Sequence, residues 1–268
     1  MPRIILILLF AFAVPGLMGV TLTGKYIVSF SVFGKIGEAD VSMEEIGGRY
    51  HIHVDGYLTG MAAALGAHRH ETHDSYGTVH EGVYLPDRYV KDRRSDTRDE
   101  TTVYTFDHKA KTVTKERTKR YVRNGSRFDP AQMKIVDVSE DVKEHAVQAV
   151  PYYAPNDLLS LFFNVKNFLK EIPRGGQSVQ HSVGATNKKG EVLITNPNGE
   201  KRRALARLMP DNDDRLITVV VDEDIFESEK GELYLNLDDN YLAIEAMLKD
   251  VLLFGDIRAK RIALKRAP

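Results

Sequence analysis

The stretch Ala39-Asp40-Val41-Ser42-Met43-Glu44-Glu45-Ile46-Gly47-Gly48-Arg49-Tyr50-His51-Ile52-His53-Val54 decides the fold class. Ala39, Val41 and Met43 recur at every second position, and Tyr50, Ile52 and Val54 do the same after Gly47-Gly48. A period of two places alternate side chains on opposite faces of an extended chain, so each arm reads as a half-buried strand. Two consecutive glycines reach positive φ without steric cost and permit a tight hairpin turn. The apolar set defines an inner face, and His51 and His53 fall on the outer one.

Working outward, the same alternation appears in Tyr26, Val28, Phe30 and Val32. It resumes near residues 67–79, 82–92, 100–107, 111–123 and 132–138, with Asp107-His108-Lys109 and Asn124-Gly125 as turns. Alternating Lys and Arg in this part indicate a solvated outer face. Further strands are expected in Leu216–Val221, Glu232–Leu237, Tyr241–Ala246 and Met247–Leu264, after a turn at Asn196-Pro197-Asn198-Gly199. One segment changes period. Leu158, Leu159, Leu161, Phe162, Phe163, Val165, Phe168 and Leu169 are spaced by three and four, with Asn156 or Asp157 placed to cap and Pro173 and Gly175-Gly176 placed to stop. This predicts one long apolar helix from Asp157 to Lys170. The expected architecture is mostly β: a curled antiparallel sheet, barrel or half-barrel, with that helix packed on or inside it.

Met1 to Gly19 reads as a secretory signal peptide, with Arg3 as the positive region and Ile4 to Val14 as the apolar run. Eleven apolar residues fall short of the roughly 20 needed to span about 30 Å of hydrocarbon. Cleavage would leave residues 20–268 as one β domain in the periplasm, without a transmembrane segment; retention as an anchor is the alternative. The chain has no cysteine, so disulfides and thiolate metal sites are excluded. Residues 88–127 hold thirteen Lys/Arg against six Asp/Glu, and residues 209–240 hold eleven Asp/Glu against two Lys/Arg. The basic part could meet anionic lipid headgroups or polysaccharide. A net charge of -1 and export both argue against nucleic acid.

The ordered segments Lys25-Tyr26-Ile27-Val28, Ser75-Tyr76-Gly77, Gly82-Val83-Tyr84-Leu85-Pro86-Asp87-Arg88-Tyr89, Tyr104-Thr105-Phe106-Asp107, Asn156-Asp157-Leu158-Leu159-Ser160, Gly231-Glu232-Leu233 and Gly255-Asp256-Ile257 together resemble the DUF3108 family of exported bacterial proteins of unknown function. The resemblance runs over roughly residues 24–262 and departs at Tyr234 and Ala243, where a tryptophan and a proline are expected. It implies a secreted or periplasmic β protein and brings no activity or cofactor with it.

No Gly-x-Ser-x-Gly elbow, P-loop or dinucleotide fingerprint is present, so neither an enzyme nor a cofactor is expected. Histidine is the most suggestive residue type. His51 and His53 share a strand face, and His68, His70 and His73 could join them as metal ligands, with Glu71 or Asp74 beside them. Surface histidines with no metal are the plain alternative. Phe162, Phe163 and Phe168, with Phe30 and Phe33, could line a site for a lipid or other amphiphile, or simply complete a filled core. Two functional classes follow: a binding or carrier module for an apolar ligand or envelope component, and an assembly partner of envelope proteins.

Overall fold

The computed structural model describes residues 19–31, 34–60, 63, 68–185, 189–210, 215–221, 232–251 and 255–267. Residues 1–18 of the expected signal segment and Phe33 lie outside them. Alternation produces β1 (Val20–Phe30), β2 (Gly34–Ile46), β3 (Arg49–Leu58), β4 (His70–His80), β5 (Val83–Ser95), β6 (Arg98–Asp107), β7 (Thr112–Asp129) and β8 (Lys134–Ala149). After them come β9 (Asn156–Asp157), β10 (Gln177–Val183), β11 (Glu191–Thr195), β12 (Leu216–Val220), β13 (Glu232–Leu237), β14 (Ala243–Val251) and β15 (Gly255–Ala267). All belong to one sheet in the order β8-β7-β6-β5-β4-β3-β2-β1-β15-β14-β13-β12-β11-β10-β9. Neighbours are antiparallel except β9 and β10, which run parallel. The predicted hairpin is β2–β3, with Val41 opposite Val54 and Met43 opposite Ile52, and its turn places Gly47 and Gly48 at φ 59° and 74°.

The sheet curls around its inner face. Leu22, Val28, Val41, Ile52, Leu235 and Ile257, from strands well separated in the order, share one buried core with residues of the segment that follows β8. Bulges at Lys25/Tyr26, Val28/Ser29, Tyr76/Gly77 and Asn236/Leu237 supply local bending. At Gly77 the backbone of β5 comes so close that a Cβ would sit 1.9 Å from the Leu85 carbonyl oxygen, so only glycine fits there.

The predicted long helix is not formed. Its place is taken by α1 (Leu158–Phe163) and α2 (Val165–Leu169), which meet at Asn164. Asn164 Nδ2 donates to Tyr84 O and Asn156 Oδ1 at 2.8 Å each, and its Oδ1 accepts from Tyr84 N at 2.8 Å. Those bonds to the end of β5 fix the side chain where a straight helix would carry it past. Asp157 caps α1, accepting from Leu159 N and Ser160 N, while Ser160 Oγ accepts from Asp157 N in a capping box.

A further helix, α3 (Gly199–Leu208), begins where only a turn was expected. Its Leu205, with Met209, packs on Leu216 and Met247 in a small second core on the face of β12–β14 opposite the main one. Among the described residues no helix is long and apolar enough to cross a membrane.

One hairpin leaves the body of the sheet. The pairing of β6 with β7 ends at Arg98–Tyr121, while β7 and β8 stay paired out to Asp129–Lys134. Residues 122–141 therefore form a two-stranded arm. Its end exposes Phe128 (54%), Met133 (78%) and Ile135 (72%), with Phe128 directly opposite Ile135.

Phe162 is 1% exposed in the main core, whereas Phe168 only packs against its edge. Phe162→Ala is expected to lower stability by about 3–5 kcal/mol and Phe168→Ala by clearly less. Urea denaturation of the two variants measures this; equal losses would mean that the ring of Phe162 is not enclosed.

Candidate functional site

The inner face changes character along β4, β5, β6 and β7. Cross-strand partners share a face in an antiparallel pair, so the register alone builds its rows. Ser75, Tyr89, Tyr104 and Lys115 form one row; His73, Lys91, Thr102 and Arg117 form the next; Glu71, Arg93, Glu100 and Lys119 form a third. The face thus passes from aromatic beside the helices to ionic further out. Glu71, His73, Ser75 and Thr102 are buried there. The alternating Lys and Arg of this stretch, expected on a solvated outer face, include Lys91, Arg93, Lys115 and Arg117 pointing inward.

Each buried group has a defined partner. Glu71 accepts from Arg93 Nε at 2.8 Å, Arg69 Nη2 at 3.1 Å and His73 Nε2 at 2.9 Å. Tyr89 donates its hydroxyl to His73 Nδ1 at 2.5 Å, and its ring stacks on Tyr104 with centroids 5.8 Å apart. Ser75 donates to Asp157 Oδ2 at 2.6 Å; its one proton being used, it accepts from Tyr50, 2.9 Å away. Through Ser75 these bonds join β3 and β4 to the cap of α1, while Tyr89, His73, Glu71 and Arg93 form a separate set that links β4 to β5.

Electrostatics follows from this packing. Burial opposes ionisation of Glu71, yet the bond from His73 and the charges of Arg93 and Arg69 hold its carboxyl well below the usual range. Burial pushes His73 down to about 4, so the ring is neutral, donating from Nε2 and accepting at Nδ1. Burial also pushes Asp157 up to about 6, against the donors from Ser75, Ser160 and Leu159. Lys91 is brought down to about 7 by burial and by the neighbouring Arg93. Glu71 and Glu100 are engaged by arginines: Glu100 pairs with Arg98 and, at 2.6 Å, with Arg117. Lys91 makes no ion pair among the described residues. Both His73 nitrogens are taken, and neither by Ser75, so the pair does not form a nucleophile and base. The arrangement can hold an anion.

The residues singled out in the sequence separate into distinct groups. Phe162 and Phe163 are buried in the core, and Phe30 and Phe168 pack at its margin. Among the histidines, His51 and His53 converge on Asp74 at the outer face of β3–β4. His70 pairs with Asp55 on that face, and exposed His68 pairs with Asp96 at 2.9 Å. His73 points the other way, into the sheet, so it cannot share a metal with them. Lys91 and Arg93 were not foreseen as site residues, their signal being the charge imbalance of residues 88–127, and Glu71 was expected only as a metal ligand, whereas it faces the inner patch.

Fold and site together define a large curled β protein with a helical plug and a cationic inner patch. The chain belongs to the family described as "Protein of unknown function (DUF3108)", whose model matches residues 25–260. No curated protein and no solved structure matches it significantly. Several segments that carried the resemblance meet at one junction: Ser75 bonds Asp157, Gly77 admits the backbone of β5, and Tyr84 and Asn156 are joined through Asn164.

Lys91 gives the site a pH signature. Below about pH 7 it is protonated in both folded and unfolded chains, and holding that charge in the sheet costs stability. Between about 7 and the ordinary 10.5 only the unfolded chain holds the proton, so this cost is relieved as pH rises. Lys91→Met should stabilise the protein at about pH 6, with the gain shrinking toward about pH 10. Thermal unfolding at both values tests it; a gain independent of pH would show that Lys91 titrates normally.

Proposed function

We propose that this protein is a non-catalytic periplasmic binding module for an amphiphilic envelope component with an anionic group, held on the inner face of β4–β7. The observation that carries the reading is Lys91, an amine drawn partly out of water with no carboxylate of its own. Arg93, Lys115, Arg117 and Lys119 surround it on the same face. Cations outnumber carboxylates in this patch, and an anionic ligand would relieve their mutual repulsion. Tyr104 and Phe106 lie along the adjoining rows, where an apolar part of the ligand can pack. Periplasmic location belongs to the same proposal and is supported by Arg3 and the apolar run after it.

Calorimetric titration with short-chain phosphatidylglycerol and phosphatidylcholine, both below their micelle concentrations, tests the reading. At least about tenfold tighter binding of the anionic lipid is expected, equivalent to about 1.4 kcal/mol. A Lys91→Gln/Lys115→Gln variant should lose that preference. Equal affinity for the two lipids, or none for either, ends the proposal.

A second reading, a partner in envelope assembly, is favoured by the arm. Phe128, Met133 and Ile135 form an apolar end on a projecting hairpin, and β8 has no further strand beside it among the described residues. A photo-crosslinker at position 133 should then capture one defined envelope protein in cells, and Phe128→Ser/Ile135→Ser should abolish the product while leaving the melting temperature unchanged. Diffuse labelling that the double variant does not alter counts against it.

A further inference from the structure

We propose that the outer face of β3–β4 carries a divalent-metal site made by His51, His53 and Asp74. Positions 51 and 53 are alternate residues of β3, so both rings stand on one face, with centroids 6.0 Å apart. The antiparallel register sets Asp74 opposite His53 and Tyr76 opposite His51. Asp74 Oδ1 lies 2.7 Å from His51 Nε2 and 2.8 Å from His53 Nδ1. All three candidate ligand atoms fall within 4.8 Å of one another.

Rotation of the side chains alone can open these contacts to the spacing around an ion bound at about 2.0–2.2 Å. Both imidazoles aim a nitrogen at the same carboxylate oxygen, and a bound cation would replace the N–H protons between them.

The set is held in place before any ion arrives. The His51 ring stacks on Tyr76 at 4.2 Å and 10°, and the Tyr76 hydroxyl donates to Asp74 Oδ1 at 3.4 Å. Partners of this kind orient ligands in metal sites. Two imidazole nitrogens and one carboxylate oxygen suit zinc, and also nickel or copper, whereas magnesium and calcium prefer all-oxygen shells. The side chains are 36%, 34% and 18% exposed, so solvent reaches the group. A surface groove of about 350 Å³, lined by Thr23, Lys25, Asp40, Ser42, His53 and Lys265, opens beside it. The fourth position of a tetrahedral ion would therefore be free for water or an external ligand.

The site stands on the opposite face of β4 from His73 and the cationic patch, so it does not depend on the lipid reading. Calorimetry on the full mature chain, without a histidine tag, uses zinc sulfate and, separately, magnesium sulfate. One equivalent of zinc should bind at micromolar or lower concentration, with magnesium silent. His53→Ala and Asp74→Ala should each weaken zinc by at least about a hundredfold and Tyr76→Phe by about tenfold. His70→Ala should leave the affinity unchanged. Circular dichroism establishes that each variant is folded. Absence of zinc binding to the parent chain overturns the proposal, and so does binding that survives in the folded His51→Ala/His53→Ala variant.

Discussion

The hydrogen bond from Ser75 to Asp157 ties the two ends of the architecture together. Asp157 follows the long β7–β8 hairpin, and Ser75 sits on a strand far earlier in the chain, yet their oxygens are 2.6 Å apart. The same carboxylate caps α1, so one side chain both starts the helix and fastens it to the inner face of β4. A buried carboxylate is tolerable only when its lone pairs are filled, and here Ser75, Leu159 and Ser160 fill them. Asn164 repeats the logic at the other end of α1 through its bonds to Tyr84. With both ends held, Leu158, Leu159, Phe162 and Phe163 have one place to go, and the sheet curls over them.

Much of this was legible in the sequence. Period-two alternation located strands such as β1 to β4 because each has a wet and a dry side, and the Gly47-Gly48 turn set the register of the β2–β3 hairpin. A cap at Asn156 or Asp157 was readable from their position before an apolar run, and the structure gives that place to Asp157. The division of the helix at Asn164 was not, since the apolar spacing continues unbroken through it. What ends α1 is a tertiary contact with Tyr84, and periodicity carries no trace of such contacts. α3 escaped for the opposite reason: Asn196-Pro197-Asn198-Gly199 is a turn signal, and Glu200-Lys201-Arg202-Arg203 offers few apolar residues for a period to register. It is held by Leu205 and Met209 over Leu216 and Met247.

The inner charges show a deeper limit. Alternation of charged and uncharged residues in β5 and β7 says that two faces differ but not which one is inside. Lysine and arginine are ordinarily outside, and Arg93 and Arg117 break that rule because Glu71 and Glu100 break it with them. The histidines divide in the same way. His51, His53 and His73 are close in sequence, and only strand parity, fixed by the pairing of β3 with β4, separates an outward pair from an inward ring.

The placement of β1 beside β15 has a consequence for how the molecule assembles. Lys25 lies opposite Ala263 and Phe30 opposite Ile257, so the first and last described strands adjoin in the middle of the sheet. Every other antiparallel neighbour follows its partner in the chain and can pair as a local hairpin, whereas this seam must close a loop of more than two hundred residues. Loop closure of that size carries an entropic cost before it yields any contact. Two meanders, β1 to β8 and β10 to β15, can therefore zip up separately, and their joining at the seam is the slow, cooperative event. Until then both edges lie bare, so a chain emerging into a crowded compartment is most prone to mispair before its last strand arrives.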